Sequence, residues 1–310
     1  MRILFMGTPE FSVDCLKMLV EEGHEVAMAV TQPDKPRGRG HKLQAPPVKE
    51  FALSRNIPVG QPQTLKNEAF LETLREVEPE LIVVVAYGKI LPSYVLHYPK
   101  YGCINVHASL LPKLRGAAPI QWSIINGEKE TGITTMQMDG GIDTGDMLLK
   151  FPIPIEPDET YGTLHDKLKE LGACALRHTI EKLEKGQLQP EKQDDSLSSY
   201  APMISKQDGR IDWSMEYRQL YDRIRGLSPF PSAYSYLGGK MVKFSAVRLG
   251  EPCEGKQAGE VLSYDTEKGL AIAAKGGILY AGELQFEKAK RMPVKDCLNG
   301  HKIALGDRFE

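Results

Sequence analysis

The sequence predicts an α/β domain with a mainly parallel sheet, followed by a smaller all-β domain. Three observations lead to this prediction. The larger N-terminal part alternates short apolar strands with amphipathic helices, which is typical of α/β folds. The remainder is a series of short strand-like runs separated by glycines. At 310 residues the chain is also long for one hydrophobic core.

The N-terminal part opens with a strand–helix–strand unit. Residues 2–6 are a short, mainly apolar run. Phe11, Cys15 and Met18 then recur at helical spacing, and 26–30 is the next apolar run. Two parallel strands joined in this way take a right-handed crossover. Further helices are predicted at 47–56, 67–77, 117–125 and 160–183, and further strands at 81–86, 103–109, 132–138 and 147–155. The G-x-G-x-x-G sequence of dinucleotide-binding folds is missing after the first strand, which disfavours an NAD enzyme.

A polar segment divides the chain. Residues 187–207 contain Asp194-Asp195-Ser196 and few apolar side chains, which is typical of a linker between domains. We therefore predict a catalytic domain over 1–188, a linker over 189–207 and a C-terminal domain over 208–310. A helix is predicted at 215–225, followed by strands at 232–236, 241–249, 259–264, 270–273 and 278–285. Five short strands of this kind predict a small β-barrel.

Charge and cysteine content limit the class of protein. The net charge is -2, with 22 basic and 27 acidic side chains over 1–205 and 17 and 14 over 206–310. The weakly basic second part is compatible with an acidic partner, and equally with none. The five cysteines are dispersed without a C-x-x-C pair, which argues for a reducing compartment and against a disulfide framework or zinc site. With no signal peptide and no apolar run of membrane-spanning length, we expect a cytoplasmic protein.

The most informative stretch begins in the strand at 103–109. Asn105 and His107 project from the same face of that strand, although a central strand of a parallel sheet should be apolar on both faces. Burying such groups without partners costs about 1–3 kcal/mol each. A ligand crevice at the carboxyl end of the strand explains them, although a single strand histidine is often structural. Asp143 follows in a glycine-rich turn after the next strand, so two neighbouring strand ends can bring the three side chains together.

This stretch, NVHASLLPKLRGAAPIQWSIINGEKETGITTMQMDGGIDTGD, resembles the folate-binding and catalytic signature of 10-formyltetrahydrofolate-dependent formyltransferases. Asn105, His107 and Asp143 match the family's catalytic positions. The similarity extends along the chain through RILFMGTPEFS, TQPDKPRGRGHKL and RIRGLSPFPSAY. The resemblance implies a Rossmann-like N-terminal formyltransferase domain and a C-terminal barrel like the oligonucleotide-binding (OB) fold. It also implies formyl transfer from 10-formyltetrahydrofolate to the α-amino group of methionine on initiator methionyl-tRNA, and we expect a monomer.

The resemblance also assigns residues to roles. Asn105 is expected to donate to the oxyanion, His107 to donate or to shuttle a proton, and Asp143 to orient and support His107. The expected wall of the folate pocket consists of Tyr87, Ser109, Leu110, Leu111, Pro112 and Ile142. The acidic side chains around Asp143 lack the spacing of a calcium loop, so we predict no metal.

A basic, glycine-rich loop is predicted at 31–48. It is either a solvated loop or a segment that follows nucleic-acid phosphates. The resemblance favours contact with the tRNA acceptor stem through Lys35, Arg37, Arg39 and Lys42, with Arg39 as the main contact. In the C-terminal domain we predict that Arg210 and Lys243 contact tRNA.

Two alternatives remain open from the sequence. The first is a formyltransferase or formyl hydrolase of the same folate family that acts on a small-molecule amine, and it predicts no salt-sensitive binding of tRNA. The second is a non-catalytic RNA-binding module that retains the folate fold. The intact catalytic trio disfavours the second, and the basic loop together with the added barrel disfavours the first.

Overall fold

The computed structural model describes residues 1–37, 42–66 and 68–310. The chain forms two compact units, and each contains segments that are distant in sequence. The N-terminal unit comprises Met1–Gly116, Thr131–Ile153 and His165–Ala201, and the C-terminal unit comprises Ala117–Glu130, Pro154–Leu164 and Pro202–Glu310. The domain boundaries predicted at 188 and 207 stay a prediction, because compactness does not test which segments fold independently.

The elements follow the order that the sequence predicts, with several short additions. The helices are α1 (Val13–Glu21), α2 (Pro47–Ser54), α3 (Glu68–Val77), α4 (Ser93–Leu96), α5 (Pro119–Ile125), α6 (Tyr161–Glu184), α7 (Tyr217–Gly226) and α8 (Val294–Asn299). The strands up to the end of the N-terminal unit are β1 (Arg2–Gly7), β2 (Glu25–Val30), β3 (Lys35–Arg37), β4 (Lys42–Gln44), β5 (Val59–Gly60), β6 (Leu81–Val85), β7 (Cys103–His107), β8 (Arg115–Gly116), β9 (Glu130–Gln137), β10 (Met147–Pro154) and β11 (Tyr200–Ala201). The remaining strands are β12 (Tyr234–Leu237), β13 (Lys240–Pro252), β14 (Val261–Asp265), β15 (Gly269–Ala274), β16 (Gly277–Phe286) and β17 (Met292–Pro293).

The N-terminal unit is built on a seven-stranded sheet in the order β10-β9-β7-β6-β1-β2-β5. The pairs β1–β2, β1–β6, β2–β5 and β6–β7 are parallel, whereas β7 and β9 are antiparallel. The central strand β6 is buried along its whole length, as its uninterrupted apolar sequence predicts. The Rossmann-like α/β prediction is confirmed, and β7 lies where the direction of the sheet changes.

The segment predicted as a long basic loop is a β-hairpin at its centre. β3 and β4 pair antiparallel, with Lys35 opposite Gln44. Its base is fixed by Asp34, which accepts hydrogen bonds from Lys49 Nζ at 2.8 Å and from Gln61 Nε2 at 2.8 Å. The periodicity of so short a segment is too weak to reveal two strands of three residues. Arg39, the main contact predicted in this segment, lies outside the described residues.

The C-terminal unit confirms the five predicted strands as an antiparallel sheet in the order β12-β13-β16-β15-β14, with the short β17 paired to β16. The C-terminal residues bridge the two ends of this sheet. Val261 N donates to Asp307 O and Phe309 N to Gly259 O on the β14 side. On the β12 side, Tyr236 and Glu310 exchange two backbone hydrogen bonds. These bonds pair part of the backbone of each edge strand, at Val261 and at Tyr236.

An aromatic cluster forms the centre of the C-terminal core. Phe309 is 1% exposed, and its ring lies 5.0 Å from that of Phe244 and 5.9 Å from that of Trp213. Trp213 also donates Nε1–H to Ser235 Oγ at 2.9 Å, so its polar atom is satisfied inside the core. The last residues of the chain therefore supply both a strand-like bridge and a core side chain.

No helix in residues 1–37, 42–66 and 68–310 has both the length and the apolar character that crossing a membrane requires.

Candidate active site

The three predicted catalytic side chains meet at the carboxyl end of β7. Asn105 Nδ2 donates to Asp143 Oδ1 at 3.3 Å, and His107 Nδ1 lies 3.6 Å from Asp143 Oδ2. Asn105 and His107 are 9% and 6% exposed, and they project from the same face of β7 as the period-two pattern predicts. Asp143 belongs to the loop between β9 and β10. β9 ends with Gln137 opposite Ile104, near the start of β7, and the loop then carries Asp143 back to Asn105 and His107.

The tautomer of His107 follows from its other ring nitrogen. Nε2 lies 3.0 Å from the carbonyl oxygen of Leu114. Because a carbonyl only accepts hydrogen bonds, Nε2 carries the hydrogen. In the neutral imidazole Nδ1 therefore has the free lone pair, and Nδ1 is the atom that faces Asp143. The atom able to take up a proton thus lies beside a carboxylate that stabilises the resulting imidazolium.

Two of the loops that meet at this site have unusual backbone conformations. Asp143 has φ 53° and Leu114 has φ 58°, in the left-handed region that costs non-glycine residues about 1–3 kcal/mol. Gly116 has φ 111° and donates N–H to Asp143 Oδ2 at 2.8 Å. A Cβ at Gly145 would lie 1.8 Å from Gln137 O, so only glycine permits this close approach. The Asp143 loop is therefore held against β9 and against Gly116 in a single arrangement.

Arg115 and Gln193 support the Asp143 loop through hydrogen bonds. Gln193 Nε2 donates to the carbonyl oxygens of Asp143 and Gly145, and its Oε1 accepts from Arg115. Gln193 lies in the segment that the sequence predicts as a linker, yet it is buried, and Tyr200–Ala201 of the same segment pairs with β8. Sequence reasoning misses Gln193, because a lone glutamine among polar residues carries no signal of burial.

A cavity opens beside Asp143 in the N-terminal unit. Its volume is about 130 Å³, and it is lined by Lys89, Ile90, Leu91, Met136, Met138, Asp139, Gly141, Ile142 and Asp143. Ile142 was predicted as a folate contact, whereas Ile90, Leu91 and the two methionines were not. The period-two spacing of Met136, in β9, and Met138, just after it, was the signal available for the methionines, because this spacing favours one face.

The other predicted folate residues lie apart from the lining of this cavity. Leu111 packs with Met136 and donates N–H to Thr134 Oγ1 at 3.1 Å. Ser109 Oγ donates to Lys113 O at 2.6 Å, which satisfies its hydroxyl within its own turn and agrees with a structural role. Leu110 and Pro112 are half-buried neighbours in that turn. Their contact with folate stays a prediction.

Tyr87 is the one predicted folate residue with an unsatisfied polar atom. The side chain is 2% exposed, and its hydroxyl is without a hydrogen-bond partner among the described residues. Burial raises the pKa of Tyr87 to about 12, so the hydroxyl is protonated at neutral pH and can donate. A buried hydroxyl of this kind is a candidate contact for a polar ligand atom.

Lys89 connects the cavity to the basic hairpin. Its Nζ donates to Pro62 O at 2.7 Å and to Gln63 O at 2.9 Å. Its pKa is lowered, first by burial and then by the positive charge of Lys35 on β3. The Coulomb interaction means that Lys35, a predicted tRNA contact, lies near a residue that lines the cavity. The side chains of Arg37 and Lys42, two further predicted tRNA contacts, lie outside the described part of the structure.

The predicted tRNA residues of the C-terminal unit share a face with two tyrosines. The Arg210 guanidinium lies 5.6 Å from the centre of the Tyr236 ring, and the rings of Tyr234 and Tyr236 are 5.9 Å apart. Lys243 is the cross-strand partner of Tyr234, so its side chain projects from that same face. Basic groups interleaved with aromatic rings are typical of surfaces that bind nucleic acid.

The region around the trio also contains a thiol, that of Cys103, and a further carboxylate, that of Asp139. Burial raises the pKa of Cys103, on β7 two residues before Asn105, to about 12, so its thiol is not a thiolate at neutral pH. Asp139 accepts hydrogen bonds from Gly141 N and Thr144 Oγ1, as a turn-forming residue does. Over the parts of the chain that the structure describes, no three His, Cys, Asp or Glu side chains form a group suited to a metal ion.

Comparisons with known proteins agree along the chain. A family model described as "Formyl transferase" matches residues 1–180, and one described as "Formyl transferase, C-terminal domain" matches residues 203–302. A methionyl-tRNA formyltransferase of Syntrophus aciditrophicus is 52% identical over 305 residues, covering 98% of this chain and 97% of the relative. One of Caldanaerobacter subterraneus is 53% identical over 307 residues, covering 99% of each chain.

Solved structures share the fold at lower identity. The sugar 3N-formyl transferase WlaRD superposes with a TM-score of 0.67 at 18% identity, covering 94% of this chain and 99% of its own. A methionyl-tRNA formyltransferase from Clostridium thermocellum superposes with a TM-score of 0.57 at 19% identity, covering 93% and 99%. HypX from Aquifex aeolicus, in complex with tetrahydrofolic acid, has a TM-score of 0.65 at 18% identity and covers 98% of this chain and 48% of HypX.

Proposed function

The chain belongs to the formyl transferase family, and on that basis we propose that it transfers the formyl group of 10-formyltetrahydrofolate to the α-amino group of methionine on initiator methionyl-tRNA. The observation that carries this proposal is the meeting of Asn105, His107 and Asp143 beside a largely apolar cavity. The relatives that are half identical over nearly the whole chain support tRNA as the acceptor. The product is N-formylmethionyl-tRNA, the form of the initiator used to begin protein synthesis.

The reaction passes through a tetrahedral oxyanion that the site can stabilise. The amine nitrogen attacks the formyl carbon, the carbonyl oxygen becomes negative, and the bond to N10 of the folate then breaks. Asn105 Nδ2 is the amide donor at the end of β7, and we assign it to the oxyanion. Removal of one such donor typically costs about 2.7–4 kcal/mol of transition-state stabilisation.

The proton balance needs an acceptor and a donor. A free α-amino group has a reference pKa of about 7.7–8.0, so an amine that is protonated near neutral pH must lose a proton before it attacks. That first proton goes to solvent. Attack on the formyl carbon leaves the amine nitrogen positively charged, and we assign His107 Nδ1 as the acceptor of the second proton that this nitrogen must lose, since Nε2 is bound to Leu114 O. The imidazolium is stabilised by Asp143 and can return the proton to N10 as the folate leaves. No bond to the enzyme forms at any step.

The cavity beside Asp143 fits the donor better than the acceptor. Ile90, Leu91, Met136 and Met138 give it apolar walls, which suit a flat heteroaromatic ring, and polar atoms at the edge can fix its orientation. We propose that the pterin ring lies against these walls, with Ile142 and the other predicted folate residues completing the site. The formyl group would then face Asn105 and His107.

Recognition of tRNA is assigned to two basic surfaces. The hairpin of β3 and β4 carries Lys35 near the cavity, and Arg39 belongs to the same basic stretch of the sequence. The face of Arg210, Tyr234, Tyr236 and Lys243 on the C-terminal unit offers cations for phosphates and rings for unpaired bases. Contacts to phosphates give binding that weakens as salt rises, whereas a small amine needs no such surface.

Replacing Arg39 by alanine should raise KM for methionyl-tRNA by about tenfold, in line with the 1–3 kcal/mol of a single nucleic-acid contact. The KM for 10-formyltetrahydrofolate and kcat at saturating tRNA should stay close to wild type. Initial rates measured while each substrate is varied in turn check both statements. Arg55→Ala removes an exposed arginine from the end of α2 and serves as the matched control. Equal losses for both substrates would show that the hairpin does not act on tRNA alone.

Loss of the Lys49 contacts at the base of the hairpin should matter less than loss of Arg39. Lys49→Met removes the cation that holds Asp34 and Gln61 together at 2.8 and 2.7 Å. Because a partly exposed ion pair contributes up to about 1 kcal/mol, KM for tRNA should rise about twofold to fivefold. The exposed Lys66→Met is the control. If KM for tRNA were unchanged in Lys49→Met, the contacts of Lys49 would not position the hairpin.

Steady-state assays with single acceptors test the proposed function. The value of kcat/KM for methionylated initiator tRNA should fall steeply between low and high salt, because counterions compete for the phosphates. The comparison acceptor is a nucleotide-linked amino sugar, the small-amine class of the alternative. Efficient turnover of the amino sugar, without salt dependence and without turnover of tRNA, would move the function to that alternative.

Cellular location and oligomeric state complete the proposal. We infer that the protein acts in the cytoplasm, because charged initiator tRNA is used there and the five cysteines are free thiols. We also propose that the monomer is the active form, since each assigned catalytic side chain comes from one chain. Size-exclusion chromatography with light scattering would contradict this if the active species had twice the mass of the chain.

A further inference from the structure

We propose that Gln193 is a positioning residue for Asp143, and that its side-chain amide sets the orientation of the catalytic carboxylate through hydrogen bonds donated to the backbone of the loop. This inference rests on the proposed formyl transfer. Gln193 lies between the end of α6 and β11, 50 residues from Asp143 in sequence. Its side-chain hydrogen bonds go to Arg115, Asp143 and Gly145, so it acts through Asp143.

Both hydrogens of the Gln193 amide are directed at the Asp143 loop. Nε2 lies 2.8 Å from Asp143 O and 2.7 Å from Gly145 O. Together these bonds fix the main chain on both sides of Thr144. Because Asp143 is in the left-handed region, its conformation needs such support from its surroundings. The two carbonyls would otherwise have to find other donors at a site where Gln193 is only 8% exposed.

The amide oxygen completes the link to the other side of the site. Gln193 Oε1 accepts from Arg115 Nε at 3.0 Å and from Arg115 Nη2 at 2.8 Å. Arg115 is 2% exposed, and the next residue, Gly116, donates N–H to Asp143 Oδ2 at 2.8 Å. The adjacent residues Arg115 and Gly116 therefore support Asp143 in two ways. Gly116 binds the carboxylate directly, and Arg115 binds Gln193, which binds the backbone carbonyl of Asp143.

Only an amide side chain of this length makes all four of these hydrogen bonds, two donated to carbonyl oxygens and two accepted from Arg115. Two donors and an acceptor with two lone pairs are needed on one planar group, and glutamine supplies them. A glutamate at this position keeps the length and pairs with the Arg115 cation, but it lacks both donors and presents negative oxygens to the two carbonyls. A methionine keeps the approximate volume and removes all four bonds. The two variants therefore separate support of Arg115 from support of the loop.

The expected consequence is a loss in the rate of the chemical step. Buried carbonyls left without donors cost about 1–3 kcal/mol each, so the loop should relax away from its present conformation. A displacement of about 1 Å at a catalytic group costs up to about 10²-fold in rate. We expect kcat to fall about 10-fold to 100-fold in both Gln193→Glu and Gln193→Met, with KM for tRNA close to wild type.

The experiment compares these two variants with Gln189→Glu and Gln189→Met, which make the same changes at an exposed glutamine of the same segment. Three quantities are measured: kcat and KM for formyl transfer, the melting temperature, and hydrogen–deuterium exchange of the peptide covering 139–146. In Gln193→Glu we expect a low kcat, faster exchange of that peptide, and a melting temperature lowered less than in Gln193→Met, because Arg115 keeps an acceptor. A Gln193→Glu enzyme with wild-type kcat and wild-type exchange would overturn the proposal.

If the proposed function is wrong, the same experiment gives a different set of results. If the wild type did not formylate methionyl-tRNA, the exchange of the 139–146 peptide would still report whether Gln193 fixes the loop. Faster exchange in Gln193→Glu but not in Gln189→Glu would then support the structural link, while the function would have to change. Loss of kcat with unchanged exchange would contradict positioning through the loop.

Discussion

Replacing His107 by alanine should lower kcat for formyl transfer by about 10²-fold to 10⁴-fold, the range typical of a general acid–base group. The reason is geometric. Nδ1 is the free acceptor of the imidazole and faces Asp143 at 3.6 Å, and the structure places no second imidazole at the end of β7 among the described residues. Because His107 acts on the reacting amine rather than on the tRNA body or the pterin, KM for each substrate should change little.

Pre-steady-state rates with enzyme in excess over methionyl-tRNA measure this effect on the chemical step. His97→Ala is the matched control, because His97 is an exposed histidine of the same unit that follows α4. Circular dichroism and folate binding verify that the His107 variant is folded. A His107→Ala enzyme within a few-fold of the wild-type rate would exclude His107 as the proton acceptor and transfer that role to Asp143.

Replacing Phe309 by alanine should destabilise the C-terminal unit by about 3–5 kcal/mol, the usual cost of truncating a buried phenylalanine. The ring is 1% exposed and contacts Phe244 and Trp213. The location of Phe309 increases the loss of stability, because Phe309 lies in the segment that bridges the two ends of the sheet. A cavity at this point weakens both the core and the closure of the edges.

Urea unfolding followed by tryptophan fluorescence measures the effect, because Trp213 reports directly on the cluster. Phe230→Ala is the control: Phe230 is 61% exposed, and surface substitutions usually change the free energy of unfolding by at most about 0.5 kcal/mol. Equal stability of the two variants would mean that the C-terminal residues do not close the sheet in solution.

Local periodicity predicted the sheets, and it predicted that Asn105 and His107 share one face of their strand; the structure shows why. The alternation of Asn105 and His107 on an otherwise apolar strand depends only on the period of a β-strand, which any buried sheet must obey. The five C-terminal strands are likewise marked by short apolar runs and glycines, and each was placed within a few residues of its observed bounds. Asp143 required the resemblance, because spacing alone does not fix which strand ends are neighbours.

The features that sequence reasoning missed depend on long-range pairing. β8 and β11 have two residues each, too few for any periodicity, and they exist because Arg115–Gly116 and Tyr200–Ala201 pair across the chain. Gln193 is buried, and its hydrogen-bond partners Arg115, Asp143 and Gly145 are at least 48 residues away in sequence. The apolar wall formed by Ile90 and Leu91 follows Tyr87-Gly88 in a loop, where apolar side chains give no repeating pattern. In each case the physical cause lies in residues far apart in sequence.

The most direct test of the central claim is to trace the formyl carbon in one mixture. Limiting 10-formyltetrahydrofolate with a labelled formyl group is incubated with the enzyme, methionylated initiator tRNA and a nucleotide-linked amino sugar, and label is counted in each product and in free formate. We predict label on methionyl-tRNA for the wild type and about 10²-fold slower labelling for His107→Ala. Label on the amino sugar, or released as formate while methionyl-tRNA stays unlabelled, would contradict the claim.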